Sequence, residues 1–305
     1  MIGCRRGNQR ATSDLAASRH PLYVAAVRPA IRARDYMRGV PGAEEAAYWA
    51  LALCAERGFA TTAQMCLHRG NMGSLRETAN RLASLGCRKL RMGRVEDLGD
   101  WNAHGVGMTP SYGEYYERVI YYIPAYYEDG MPLALTLSGV FSASPDNPAA
   151  YALAPCQPDA AAAGKIVFGC VRHMMQLFPD GRPVLCDVLD PDHVSMPPIA
   201  SDDPAVETTT LADVLSTGSA YMEQLDLRRR SFLERTPECR ECVYLRMCGG
   251  GCRANAYNES GSIMGRDPAA CAFFKEGWAK RVVDTMRTTC PEATCAQRDD
   301  ELFRG

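Results

Sequence analysis

Thiols are the side chains of this sequence best suited to chemistry, and four of them lie within fourteen positions. Cys239, Cys242, Cys248 and Cys252 follow the spacing C-x2-C-x5-C-x3-C, with three glycines in a row just before the last cysteine. Thiolates are soft ligands that bind zinc or iron–sulfur clusters in preference to magnesium or calcium. A run of glycines lets the backbone turn tightly around such a site. The stretch therefore predicts a metal site, and zinc and an iron–sulfur cluster are the two candidates.

A second and looser group of cysteines lies upstream. Cys170 is followed by ten residues, Gly181, four residues and Cys186, and Cys156 precedes this group. One more cysteine, Cys271, follows the compact group after eighteen residues. Such a set of spacings is a far more specific signal than a single C-x2-C.

The two groups together resemble the seven-cysteine pattern of the SPASM domain. This domain is the C-terminal extension of radical S-adenosylmethionine (radical SAM) enzymes that modify peptides and proteins, among them the sulfatase-maturing enzymes. The sequence fills all seven positions, with Cys170, Cys186, Cys239, Cys242, Cys248, Cys252 and Cys271.

The resemblance implies two 4Fe–4S clusters whose ligands are interleaved along the chain. The positions that correspond to the distal cluster are Cys239, Cys242, Cys248 and Cys271. Those of the proximal cluster are Cys170, Cys186 and Cys252, with Cys156 as the candidate fourth ligand. If Cys156 is not a ligand, the proximal cluster has an open iron that can bind substrate. The alternative is structural zinc, because four-cysteine zinc sites also contain C-x2-C.

Asp187 comes directly after Cys186. In the sulfatase-maturing enzymes, which the sequence resembles at this point, an aspartate here acts as a general base while the substrate carbon is oxidised. The resemblance therefore implies a catalytic role for Asp187, provided that burial raises its pKa. The alternative is a solvated aspartate in a loop.

Composition narrows the class of protein. The 305 residues are 47% hydrophobic and 23% charged, which is ordinary for a globular protein with a sizeable core. A net charge of −2 gives no reason to expect a nucleic acid or a membrane surface as partner. The first twenty residues contain no apolar stretch of a secretory signal. Fourteen cysteines then indicate metal ligation in a reducing cytoplasm instead of disulfides, so we expect a cytoplasmic protein.

The first part of the chain alternates between predicted strands and helices. Apolar periodicity predicts helices at 43–57, at 74–86 and from 111 onward, and strands at 60–67, 89–95 and 133–141. Ser74–Glu77 and Ser111–Glu114 have the sequence of capping boxes, and Pro124 is expected to bend or end its helix. This alternation implies parallel strands with helical crossovers, an α/β fold. It also resembles the later half of the radical SAM barrel, a partial (β/α)6 TIM-like sheet.

Polar side chains follow or lie on two of these strands. His68, Arg69 and Asn71 come after the strand at 60–67, and Arg91 and Arg94 lie on the next one. Barrel enzymes place their active-site groups at the C-terminal ends of the strands. We therefore predict cofactor-binding roles for His68, Asn71 and Arg91. The alternative is that these side chains cap a helix N-terminus and a strand end.

The later part of the chain resembles the small SPASM fold of a hairpin, loops and helices. Val167–Cys186 is predicted as the hairpin, with Pro179–Arg182 as its turn. Helices are predicted at 211–215, at 221–233 and after Cys271. We divide the chain into an unmatched head that is disordered or not native to the fold (1–34), a partial radical SAM barrel (35–142) and a SPASM iron–sulfur domain (143–305).

One motif of the radical SAM family does not occur in these residues. The family binds its SAM-cleaving cluster with C-x3-C-x2-C, whereas the cysteines before Cys156 are far apart. The resemblance begins near Asp35, after an arginine-rich stretch. Our hypothesis is a truncated or frameshifted gene, with SAM as a cofactor only of an intact family member.

The resemblance thus implies the C-terminal portion of an enzyme that oxidatively modifies or cross-links side chains of a peptide or protein substrate. This chain itself would hold two 4Fe–4S clusters and would not cleave SAM. The alternative function is a non-catalytic iron–sulfur or zinc-stabilised peptide-binding module. Whether the chain is an enzyme, which peptide it serves and its oligomeric state are left open by the sequence.

Overall fold

A computed structural model of the chain describes the backbone of Leu22–Val24 and residues 40–153, 175–186, 188–189 and 196–296. Cys156, Cys170, Asp187 and nearly all of the predicted head lie outside the described residues. The predictions made for them therefore stay predictions.

A mixed sheet of seven strands is the centre of the described structure. Its strands are β1 Leu22–Val24, β2 Thr61–Leu67, β3 Lys89–Arg94, β4 Ala134–Leu137, β5 Phe141–Ser144, β6 Asn147–Leu153 and β9 Thr294–Cys295, in the spatial order β1-β2-β3-β4-β5-β6-β9. Strands β1 to β4 run parallel, β5 is antiparallel to both of its neighbours, and β9 is parallel to β6. The predicted α/β class is confirmed. The assignment of this sheet to a partial barrel stays a prediction.

Helices connect the strands and fill the rest of the described chain. In order they are α1 Ala43–Glu56, α2 Leu75–Ser84, α3 Asp100–His104, α4 Tyr112–Glu128, α5 Leu211–Val214, α6 Ala220–Leu225, α7 Arg229–Arg235, α8 Pro237–Arg240, α9 Leu245–Cys248, α10 Arg253–Ser260, α11 Pro268–Lys275 and α12 Trp278–Thr289. Across the described residues, no helix has both the length and the apolar character needed to cross a bilayer.

The core lies between one face of the sheet and helices from both the earlier and the later part of the chain. Alternate residues of β3 and β4, such as Leu90, Met92 and Leu135, are buried, as the two-residue period of a strand requires. They belong to one apolar cluster with side chains of α1, α2, α4 and α12, for example Leu51 and Val119. This packing holds the carboxyl ends of β2 and β3 in place.

One of the two predicted capping boxes is present. Ser111 accepts from the Glu114 amide at 3.2 Å, and the Glu114 carboxylate accepts from the Ser111 amide at 2.7 Å, at the start of α4. The box predicted at Ser74 is wrong. A 3₁₀ turn, Met72–Ser74, precedes α2, and the Ser74 hydroxyl donates to the Asn71 carbonyl at 2.7 Å, so it makes no cap bond with the helix amides.

Two element boundaries also differ from the prediction. Helix α4 continues past Pro124 to Glu128, because its buried face packs into the core. The strand predicted at 133–141 is two antiparallel strands, β4 and β5. Gly139 has φ of +78°, and the Val140 amide donates to the Leu137 carbonyl at 2.9 Å, so the chain reverses there.

The later helices are shorter than predicted. The helix predicted at 221–233 is split into α6 and α7, and the one predicted after Cys271 is α11 and α12, separated at Gly277 with φ of +81°. The hairpin predicted around Pro179–Arg182 is present as β7 Gln176–Leu177 and β8 Pro183–Val184. The start of the predicted hairpin region lies outside the described residues.

The predicted domain boundary at 142/143 falls inside β5. Strands from both sides of it belong to one sheet, and residues from both sides, such as Tyr116 and Phe273, belong to one apolar cluster. The division into a barrel and a SPASM domain stays a prediction.

Candidate metal centre

Four thiols line one cavity in the later part of the chain. They belong to Cys239, Cys242, Cys248 and Cys271. Cys239 lies on α8, Cys242 follows that helix, Cys248 ends α9, and Cys271 lies in the middle of α11. The distal set that the sequence resemblance assigned to one cluster is thus brought together from three short helices.

The local sequence accounts for these positions. The Cys242 amide donates to the Cys239 carbonyl at 3.2 Å, which makes the C-x2-C segment a tight turn. Gly249, with φ of +60°, ends α9 directly after Cys248, since only glycine adopts that left-handed cap without strain. Asp267 caps α11 and Pro268 begins it, which places Cys271 one turn inside the helix.

Burial controls the protonation of these thiols. It raises the pKa of Cys239 and Cys271, and it raises the pKa of Cys248 to about 11, with the neighbouring thiols adding to each shift. Lys275 acts in the opposite direction on Cys271, and the Gly250 amide donates to the Cys248 sulfur at 3.4 Å. A metal must therefore displace protons when it binds here.

The cavity is narrow. Its volume is about 20 Å³, which is room for a single water molecule. Within the described ranges, no three histidine, cysteine or acidic side chains lie close enough to hold one metal ion. The donor chemistry fits an iron–sulfur cluster, because four thiols line one cavity, but the eight core atoms of a 4Fe–4S cluster would need more room than this cavity offers.

Cys252 belongs to a different neighbourhood although it follows Cys248 by only four positions. It is not among the residues that line the cavity. Desolvation of its sulfur raises its pKa to about 11 even though part of the residue is exposed, and the thiol of Cys186 contributes to the increase. Cys186 thus lies within electrostatic range of Cys252, and both belong to the predicted proximal set. Cys156 and Cys170 lie outside the described residues.

A buried aspartate joins the two cysteine groups. The Asp267 carboxylate accepts from the Cys252 amide at 2.7 Å and from the Ala269 amide at 2.9 Å. Asn255 donates to it at 3.2 Å. The same side chain therefore begins the helix that carries Cys271 and holds the backbone of Cys252.

Three charged residues near the thiols were missed by the sequence reasoning: Arg229, Arg253 and Asp267, which are 3%, 2% and 5% exposed. For Asp267 there was a usable signal, because Asp-Pro before a cysteine-containing helix is a helix-start sequence. Nothing in the sequence separates Arg229 from Arg228 and Arg230, which are exposed.

The polar residues at the strand ends are placed as follows. His68 and Asn71 are buried at the end of β2, where the His68 amide donates to the Asn71 side chain at 2.8 Å. Asn71 donates in turn to the Cys66 carbonyl at 2.9 Å. Arg91 is exposed on β3 and donates to the Ser138 hydroxyl at 3.2 Å. The contacts of Asn71 hold the loop that follows β2. The cofactor-binding roles of His68, Asn71 and Arg91 stay predictions.

Arg94, the last residue of β3, holds the chain that follows the strand. Arg94 donates to Glu96 at 2.6 Å and to the Pro110 carbonyl at 2.7 Å, and its guanidinium lies 4.3 Å from the Tyr112 ring centroid. Burial raises the pKa of Glu96, and the negative charge of Asp267 adds to this. Glu96 is thus within electrostatic range of Asp267, the residue that caps α11.

Comparisons with known proteins bear on the fold. No protein-family model matches the chain. It is 36% identical to an uncharacterized protein of Archaeoglobus fulgidus over 62 residues, which is 20% of this chain and 15% of that protein. SuiB of Streptococcus suis bound to S-adenosylmethionine aligns with a TM-score of 0.52 and 13% identity, over 86% of this chain and 57% of SuiB. SuiB bound to its precursor peptide SuiA aligns with a TM-score of 0.51 and 14% identity, over 86% and 56%.

The fold is similar to that of SuiB. At 13–14% identity this likeness concerns the fold alone. The chain spans 56–57% of the SuiB chains that it matches, so a large part of SuiB has no counterpart in the residues aligned.

Proposed function

We propose that this chain is the iron–sulfur-binding portion of a radical SAM/SPASM enzyme that oxidatively modifies or cross-links the side chains of a peptide or protein. The observation that carries the proposal is the sorting of the thiols. Cys239, Cys242, Cys248 and Cys271 line one cavity, while Cys252 does not line it and is affected electrostatically by Cys186. This interleaved grouping is the one that the seven-cysteine resemblance implies.

The cavity group would hold the distal 4Fe–4S cluster. Cys186 and Cys252 would hold the proximal one together with Cys170, and with Cys156 as its fourth ligand. When bound, such clusters accept or pass on single electrons. The chain's own contribution is to exclude water from the thiols, to donate the Gly250 amide to Cys248, and to fix Cys252 through Asp267. Asp187 would take the substrate proton.

The substrate class follows from the same proposal. SuiB, whose fold is similar, has been solved with S-adenosylmethionine and with a precursor peptide. We propose a peptide or protein substrate in the cytoplasm, with cofactor-binding roles for His68 and Asn71, which follow β2, and for Arg91 on β3. Since the sequence contains no C-x3-C-x2-C, we expect this chain by itself not to cleave SAM.

Metal analysis tests the proposal. The chain is purified and reconstituted without oxygen, and iron, acid-labile sulfide and zinc are measured per chain. Two 4Fe–4S clusters require about eight irons and about eight sulfides. Cys248→Ala should lower both to about four, because it removes one distal ligand, whereas Cys54→Ala on α1 should leave both at about eight.

Two results would contradict the proposal. Zinc without sulfide in the wild type would support the zinc-stabilised peptide-binding alternative. Equal losses from Cys248→Ala and Cys54→Ala would show that the metal is not held by the cavity group.

A further inference from the structure

Two buried arginines lie beside the cysteine groups. Arg229 is 3% exposed and Arg253 is 2% exposed. An arginine is seldom buried so completely without a carboxylate partner, because removing a charge from water is costly. Among the described residues, neither side chain forms an ion pair with an aspartate or a glutamate. Arg253 has only the electrostatic influence of Asp267, and in the described structure no carboxylate acts on Arg229.

The contacts of Arg253 are with neutral groups. One terminal nitrogen donates to the carbonyls of Ile263 and Gly265, each at 2.8 Å. The other donates to the Gly250 carbonyl, and the guanidinium lies 4.2 Å from the Phe232 ring centroid. These contacts position the side chain without neutralising it. The carboxylate whose negative charge acts on it is that of Asp267, and Cys239, Cys252 and Cys248 would act on it in the same sense as thiolates.

The guanidinium nitrogens of Arg229 have fewer hydrogen-bond partners than those of Arg253. Arg229 is the first residue of α7, and its Nε and one of its terminal nitrogens have no hydrogen-bond partner in the described structure. Among the described residues, the group that would act on it electrostatically is Cys248 in its thiolate form, and Cys248 lines the cavity. Arg229 is thus a buried cation within electrostatic range of the distal group, whereas Arg253 is within range of both groups.

Metal binding would change the charge balance of this region. A thiol gives up its proton when it binds a metal, so a cluster with its thiolates carries net negative charge. A buried positive charge nearby then becomes paired, and it favours the reduced cluster, which holds one more electron. Without the cluster the same positive charge stays uncompensated and costs stability.

We propose that Arg229 and Arg253 are the built-in counter-charges of the iron–sulfur clusters, with Arg229 serving the distal cluster and Arg253 lying between the two. They stabilise the loaded chain, raise the reduction potential of the clusters, and destabilise the metal-free chain. The inference rests on the proposed function, since it requires clusters to be present.

The reduction potential of the distal cluster gives the direct test. Arg229→Met removes the charge and keeps a long buried side chain. It should leave the iron and sulfide content near that of the wild type. It should lower the equilibrium constant for reduction at least tenfold, which is a fall in reduction potential of about 59 mV for one electron. Arg229→Lys, which keeps the charge, should shift the potential less. Arg230→Met, which changes the exposed neighbour in the same helix, should leave the reduction potential unchanged. The potentials are measured by redox titration followed by electron paramagnetic resonance.

The stability of the metal-free chain gives an independent test. In urea, with a chelator and a reductant, metal-free Arg229→Met should unfold at a higher midpoint than metal-free wild type, because a costly buried charge is gone. A lower midpoint, or failure of Arg229→Met to fold, would show a merely structural arginine and overturn the inference.

The two levels of the proposal fail in different ways. If the wild type takes up no iron and sulfide, the proposed function fails and the counter-charge role fails with it. If the wild type takes up both clusters but Arg229→Met has the wild-type potential, or Arg229→Lys shifts it as much as Arg229→Met does, only the counter-charge role is wrong.

Discussion

The strand–helix region (residues 40–153) and the cysteine region (residues 175–186, 188–189 and 196–296) are ordered by different forces. In the first, alternate apolar residues of the strands lie under helices of up to 17 residues. In the second, the helices that carry thiols have four to eight residues. Helices shorter than about 12 residues are marginal on their own in water. Apolar contacts between these helices, together with helix caps and glycines of positive φ, must therefore hold the cysteine region.

This comparison shows where a bound group matters. Most of the large apolar cluster belongs to the strand–helix region, and its strand ends are hydrogen bonded within the chain, so we expect its order not to depend on metal. In the cysteine region, the buried arginine charges are a cost that a cluster would offset.

The largest effect is expected from Gly251→Ala. Gly251 has φ of +75°, and a Cβ there would collide with the carboxylate of Asp267, which holds the Cys252 amide. Backbone strain, overpacking and the lost hydrogen bond together should cost roughly 3–5 kcal/mol of unfolding free energy. Urea unfolding of the metal-free chain measures this, and iron content after reconstitution should also fall.

Gly261→Ala is the matched control for that substitution. Gly261 has φ of +70° at the end of α10, but nothing lies within 4 Å of the Cβ position. It should cost only the left-handed strain, about 1 kcal/mol. Equal losses of unfolding free energy for Gly251→Ala and Gly261→Ala would mean that the close packing of Gly251 against Asp267 does not organise the cysteine region.

The tyrosine between the two regions gives the next effect. Tyr116 on α4 donates to the Ala269 carbonyl on α11 at 2.7 Å, and its ring packs edge-on against Phe273 with centroids 5.5 Å apart. Tyr116→Phe keeps the ring and removes the donor, so it should destabilise the chain by about 1 kcal/mol in urea unfolding. Tyr121→Phe, on a side chain 74% exposed, should change stability by less than about 0.5 kcal/mol. Equal effects would show that the bond between the regions contributes nothing.

Much of the strand–helix region was predictable because its order comes from periodicity. The helix predicted at 43–57 is α1 Ala43–Glu56, and the strand predicted at 89–95 is β3 Lys89–Arg94. The reversal at Gly139 was missed, since apolar residues on both sides make 133–141 look like one strand. In both regions the errors fall where one glycine or one side-chain bond outweighs the pattern.

The candidate site was predictable to the extent that spacing determines it. The sequence grouped Cys239, Cys242, Cys248 and Cys271, and the same four line the cavity, although their role as cluster ligands stays a prediction. Arg229 was not predictable, because burial of one arginine among three consecutive ones depends on tertiary packing that a seven-residue helix does not encode. The buried charges, which have no spacing rule, are what the structure adds.

The smallest effect tests the strand–helix region alone. Glu114 closes the capping box of α4 and also binds Arg69, with Nη2 and Oε2 2.7 Å apart. The Arg69 hydrogen bond, aided by the Ser111 amide, lowers the pKa of Glu114 from 4.5 to about 2. A carboxylate whose pKa is lowered by folding contributes stability above its unfolded pKa, and this is lost as the pH falls through the folded pKa. The difference in unfolding free energy between wild type and Glu114→Gln, measured in urea on the metal-free chain, should therefore be full above about pH 5 and shrink toward pH 2.

Added salt should make this difference smaller, because the Arg69–Glu114 pair is exposed. Glu56→Gln, on an exposed glutamate at the end of α1, should show no such pH-dependent gap. A gap of constant size from pH 6 to pH 2 would mean that ionisation of Glu114 does not contribute to stability.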